Sequence, residues 1–128
     1  YVYPCQYGET SCISLIEAMS AGLECIHSNN AALFETAGGV TNMYHYQRDQ
    51  AKHVELCTEK VIEAIQNIKD GKPNSLALQK AYADKVFSWE TRVPQWTEYL
   101  NSLLVKRSSS GVGAYASSFW LGSFPVLR

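Results

Sequence analysis

The sequence predicts an α/β fold, with a short parallel sheet near its start and a helix-rich C-terminal end. Two observations carry this. Across residues 5–35 the chain runs loop, helix, glycine turn, strand, loop and helix, the βαβ order of a parallel sheet whose ligands sit at the C-terminal strand ends. From Asp49 onward apolar residues recur three and four apart, the period of amphipathic helices.

Taken in order, Tyr1-Val2-Tyr3-Pro4 reads as the end of a strand feeding a polar loop. Thr10 or Ser11 is expected to cap the first helix, because a hydroxyl there accepts from an unpaired N–H group. Cys12, Ile16 and Met19 form the expected core stripe, and Glu17 lies beside it with Ile13, Ser20 and Ala21. Gly22 makes a tight turn into a strand over 23–28 that buries Cys25 and Ile26. Asn29-Asn30 turns the chain into a short helix over 31–37, which Gly38-Gly39 ends. A last short strand over 40–46 alternates Tyr44 and Tyr46 around His45.

Three helices follow. Asp49 is the expected N-cap of the first, with Val54, Cys57, Val61, Ile65 and Ile68 as its apolar face and Lys69-Asp70-Gly71-Lys72-Pro73 as its stop. Leu76, Leu78, Ala81, Ala83 and Val86 mark the second, after an Asn74-Ser75 cap. Ser88 opens the third, whose face carries Trp89, Val93, Trp96, Leu100 and Leu103. Pro94 lies inside it and is expected to kink it, having no N–H to donate. Both tryptophans are assigned to packing, and Lys60, Glu63, Lys85 and Arg92 to a solvated surface.

A chain of 128 residues with 46% hydrophobic content suffices for one small domain with a core. A formal net charge of −1 points to neither nucleic acid nor an anionic membrane. Cys5, Cys12, Cys25 and Cys57 are scattered without a CxxC pair, as expected of reduced packing residues in a cytoplasmic protein. His27, His45 and His53 also lack ligand spacing, so no metal or cofactor is expected, although His27 near a strand end could face a ligand. The tail over 108–128 mixes Ser, Gly and aromatics without charge before Arg128, and is too broken to span a bilayer. It reads as read-through sequence outside the domain, or as a weak interaction segment through Phe119, Trp120, Leu121 and Phe124.

The chemistry concentrates at the first loop and helix. Free N–H groups near Ser11, Cys12 and Ile13, at the positive end of the helix dipole, make a place for a phosphate. Glu9 and Glu17 frame it, about 12 Å apart if helical rise spans the interval. Each has a plainer explanation. Glu9 alone would be favourable charge at a helix start, Glu17 a solvated flank residue, and Glu35 a cap or a solvated residue of its short helix.

Glu9, seven residues, Glu17, then Ala-Met-Ser-Ala-Gly and a later loop ending in Glu35, resembles the E-x7-E signature of retaining glycosyltransferases with the GT-B fold, group 1 or GT4. The resemblance covers residues 1–104. Many members have Phe-Gly at Ser11-Cys12 and proline at Glu24. It implies a partial Rossmann-like domain over 1–107, the later part of a donor-binding half. An N-terminal acceptor domain and a basic pair that grips the diphosphate would lie outside this chain, and Trp89 and Trp96 would be partly exposed if that domain normally covers them.

The implied donor is a nucleotide-diphosphate sugar, transferred with retention. Glu9 would contact donor-sugar hydroxyls, with the backbone of Thr10, Ser11 and Cys12 beside sugar and phosphate. Ile13 and Glu17 would serve the nucleotide, Glu17 on its ribose. No residue is expected as general acid, base or nucleophile, and the fragment is expected to be inactive alone. The parent enzyme would associate peripherally with membranes, and an exposed sheet edge would favour a homodimer. Two rivals are a glycosidase, whose carboxylates flank the scissile bond, and a non-catalytic α/β interaction module that uses Trp89 and Trp96.

Overall fold

A computed structural model describes residues 1–72 and 75–108, and of 105–108 the backbone alone. Three strands, β1 (Val2–Tyr3), β2 (Ile26–Ser28) and β3 (Asn42–Tyr44), form a parallel sheet in the order β1-β2-β3. Val2 pairs with Ile26, and Ile26 with Asn42, which fixes the register. Helices α1 (Ile13–Ser20) and α2 (Leu33–Ala37) make the two crossovers, and α3 (Gln50–Lys69), α4 (Leu76–Phe87) and α5 (Trp89–Ser108) follow. The expected α/β class with a short parallel sheet and a helix-rich end is therefore present.

Alternation along the strands splits the core into two layers. Cys25 faces Leu15, Ala18 and Met19 of α1, Leu33 and Ala37 of α2, and Ala83 of α4. Its neighbour Ile26 faces the other way, toward Tyr44 and the Cys57 and Ala64 positions of α3. Helices thus cover both faces of the sheet, as parallel strands require. α1 and α4 are further tied by the Ser20 hydroxyl and the Lys80 ammonium, both donating to Asp84, with Lys80 Nζ also 2.7 Å from the Ser20 carbonyl.

Several local expectations hold for the reasons given. Gly22 and Gly71 follow α1 and α3 at φ 75° and 61°, and each sits in a paired 6→1 and 5→2 hydrogen-bond closure. Gly38 ends α2 in the left-handed region at φ 59°. Asp49 caps α3, its Oδ1 accepting from the Lys52 amide at 2.8 Å. Ser88 opens α5, with its Oγ 3.3 Å from the Thr91 amide.

Others are corrected. The N-cap of α1 is Cys12, in extended conformation and without a side-chain cap bond, rather than Thr10 or Ser11. Its core stripe is Cys12, Leu15, Ala18 and Met19, with Ile16 only half-buried. β2 and β3 are shorter than the strands expected over 23–28 and 40–46, and α2 begins at Leu33. On α3 the buried positions are His53, Cys57 and Ala64, whereas Val54, Ile65 and Ile68 are exposed. α4 buries Gln79 and Ala83 and leaves Leu78 in solvent.

The chain divides into two compact units, Tyr1–Arg92 and Val93–Arg128, with the boundary inside α5. Trp89, Val93, Trp96, Leu100 and Leu103 of α5 are all exposed, so neither tryptophan is packed within the described residues, and of the two expectations for them it is exposure that is seen. α5 runs on through Pro94. The Asn74 part of the α4 cap, Pro73, and the tail beyond 108 lie outside the described residues.

Candidate functional site

The C-terminal ends of the parallel strands open onto two loops, 4–12 after β1 and 29–32 after β2. These loops are stitched together. The Asn30 side-chain amide donates to the Tyr7 carbonyl at 2.8 Å, the Ala32 amide to the Glu9 carbonyl at 3.2 Å, and the Ser28 hydroxyl to the Cys5 carbonyl at 3.4 Å. Ala31, between the first two contacts, stands at φ 46°, a left-handed conformation that a non-glycine residue adopts only under such constraint.

The six predicted site residues lie along this clasped loop and the start of α1. Glu9 is half-buried, and its Oε1 accepts from the Tyr3 hydroxyl at 2.6 Å. The Cys5 thiol is a weaker donor to the same oxygen at 3.8 Å. The hydrogen bond to that carboxylate raises the Tyr3 pKa above the usual tyrosine range, because only the protonated phenol can donate it. Thr10 and Ser11 are exposed, Cys12 is buried at the N-cap with its Sγ 3.4 Å from Ser14 Oγ, and Ile13 is exposed.

Helix α1 begins between the two glutamates. Because it starts at Ile13, helical rise spans only the four steps to Glu17, about 6 Å, and the loop spans the remainder. Glu17 is exposed on the second turn. With no side-chain cap from Cys12, the first-turn N–H groups of α1 keep their capacity for an acceptor. The Glu9 carboxylate is engaged by Tyr3 and Cys5, and Glu17 lies further along the same segment, on α1.

Beside this loop lies an open hollow of about 510 Å³, walled by Tyr3, Pro4, Cys5, Gln6 and Tyr7 of the β1 loop and by Gln50, His53 and Val54 of α3. Neither glutamate lines it, but Glu9 is one hydrogen bond away through Tyr3. At its base His53 is buried, with Nε2 3.1 Å from the Tyr44 hydroxyl and 3.4 Å from the Pro4 carbonyl, while Nδ1 has no partner. Desolvation, then contact with Cys57, raises the Tyr44 pKa. Sequence reasoning missed this group because its halves are some 45 residues apart, and only the Tyr-Pro-Cys-Gln-Tyr run gave a local signal.

His27 lies in β2 itself. It is fully buried, its Nδ1 2.8 Å from the Ser28 carbonyl and its Nε2 2.7 Å from Thr41 Oγ1. A carbonyl only accepts, so Nδ1 carries the proton and Nε2 accepts from the Thr41 hydroxyl. Burial lowers its pKa, with the Ser28 carbonyl opposing, and both ring nitrogens are satisfied in the neutral form. This histidine is structural rather than turned toward a ligand. Among the described residues no group of His, Cys, Asp and Glu could hold a metal ion, and no helix is long and apolar enough to cross a membrane.

No family model, curated protein or solved structure matches this chain.

Proposed function

We propose that the chain binds the nucleotide-sugar donor as part of a retaining glycosyltransferase of the GT-B fold, its sheet and helices belonging to a Rossmann-like domain. The observation that carries this reading is the start of α1 between Glu9 and Glu17, uncapped, at the C-terminal end of a parallel sheet. The clasp between the two loops adds support, since it holds the Glu9 backbone against the β2–α2 loop before any ligand arrives.

In this reading Glu9 orients the donor sugar and Glu17 holds the ribose, with the backbone from Thr10 to Ile13 on the phosphates. Charge growing on the departing diphosphate is stabilised by the amino end of α1 and by basic groups supplied from outside the chain. No side chain here transfers a proton or forms a covalent bond. The remaining catalysis is positioning of an acceptor, so the chain alone has little or no turnover.

Calorimetric titration with uridine, guanosine and adenosine diphosphates tests the proposal. Saturable binding of one of them, lost in Glu17→Ala with folding retained, supports it. A folded chain that binds none points to a second reading, a non-catalytic interaction module. The exposed Trp89 and Trp96 on α5 favour that alternative.

A further inference from the structure

We propose that a hollow at the N-terminal end of the strands, opposite the loops of the donor site, binds a small organic ammonium ion. It has a volume of about 270 Å³ and is lined by Glu24 ahead of β2, Thr41 and Asn42 at the start of β3, Ala64, Asn67 and Ile68 of α3, and Ser75. The proposal does not rest on the glycosyltransferase reading.

The sign of the ligand follows from what the walls can offer. Among the described residues of the lining Glu24 is the charged one, and its Oε2 is closed off from solvent without a hydrogen-bond partner. The Tyr1 backbone nitrogen donates to the Glu24 backbone carbonyl at 2.9 Å and not to this carboxylate. A carboxylate oxygen left in that state is costly. Its charge is shared over both oxygens, so a cation in the hollow offsets the group as a whole.

The neighbouring groups lean the same way. Thr41 gives its hydroxyl proton to Nε2 of His27, so toward the hollow its oxygen can only accept. Behind Ser75 and outside the lining, Gln79 is fully buried, donates to Ser75 Oγ at 2.6 Å and has its own Oε1 closed off without a donor. Asn42 and Asn67 carry amides that can turn an oxygen toward a cation. An ammonium group brings three donors and one positive charge, and Ala64 and Ile68 supply apolar wall for a short alkyl tail.

The test is calorimetric titration of the 128-residue chain with n-butylammonium chloride, beside 1-butanol and potassium chloride at the same concentrations. Saturable binding of the amine is expected, weakened about tenfold or more in Glu24→Gln and unchanged in Glu59→Gln, at an exposed position of α3. Equal binding of 1-butanol would show that charge is not recognised and overturns the proposal without any variant. Equal binding of potassium overturns it in favour of an inorganic cation. No saturable binding of the amine, or full retention in a folded Glu24→Gln, also overturns it, whatever the diphosphate titrations give.

Discussion

The Tyr3 hydroxyl donates to Oε1 of Glu9 across 2.6 Å, and the same tyrosine walls the hollow beside β1. A ligand that uses Glu9 must therefore share that carboxylate with Tyr3 or displace its hydroxyl. The hydrogen bond holds the Tyr3 pKa above its ordinary value of 10.0. A group raised on folding contributes stability that is complete below its unfolded value and fades as pH rises beyond it. Tyr3→Phe is expected to lower the urea midpoint at pH 8, and the gap from the parent should close as pH climbs above 10. A constant gap across that range would show that ring packing, not the hydroxyl, sets the difference.

His27 gives the opposite slope at acid pH. Its folded pKa is lowered from 6.5 by burial, so the unfolded chain takes up the proton first and stability falls as pH drops below that value. The loss approaches about 1.4 kcal/mol per pH unit at most, until the lowered folded value is reached. Denaturation curves of the parent and His27→Leu, both measured from pH 8 to pH 5, should differ in slope by up to that amount. Thr41→Val leaves Nε2 without its donor and is expected to cost about 1–3 kcal/mol at neutral pH.

How far the sequence could be read depended on the range of the causes. Asp49, Gly22, Gly38 and Gly71 were legible because a cap or a left-handed turn is decided within a few residues. The α3 face was legible as amphipathic, right at Cys57 and Val61 but rotated away from the buried side at its other positions. Cys57 is buried as expected, but large Val54, Ile65 and Ile68 outweighed His53 and Ala64, which burial selects because the sheet approaches closely there and Tyr44 pairs with Nε2 of the histidine. Cys12 displaced Thr10 and Ser11 as the N-cap because its side chain is drawn into the core. The two hollows could not be foreseen, since β1 meets α3, and Glu24 meets Asn67, only through the folded topology.

Gly38 joins a backbone requirement to a packing one. It stands at φ 59°, and a Cβ built there would overlap the Tyr82 ring at Cζ, while that ring meets Phe87 edge-on at 6.0 Å. Gly38→Ala is expected to destabilise by about 2–4 kcal/mol, combining the left-handed cost with overpacking. Gly39, also left-handed at φ 73° but with open space around it, isolates the first term. Gly39→Ala should therefore cost about 1–2 kcal/mol, and equal losses at the two sites in thermal unfolding would show that Tyr82 simply moves aside.

The clasp of the two loops makes a prediction about local rather than global stability. Asn30 holds the Tyr7 carbonyl at 2.8 Å, and the Ala32 amide is bonded to the Glu9 carbonyl, so both loops should open as one unit. Removing the Asn30 side chain leaves the sheet pairing and the α1–α4 contact intact. In hydrogen exchange followed by mass spectrometry, Asn30→Ala should speed exchange through residues 5–12 and at Ala32, by about tenfold for a hydrogen bond of ordinary strength. The amides of α3 should keep their rates. If the donor site uses Glu9, the same variant should weaken diphosphate-sugar binding while leaving the thermal midpoint nearly unchanged, because the cost falls on the pre-set loop geometry. An equal rise in exchange across α3 would mean that Asn30 supports the whole sheet, and the clasp would then have no separate part in binding.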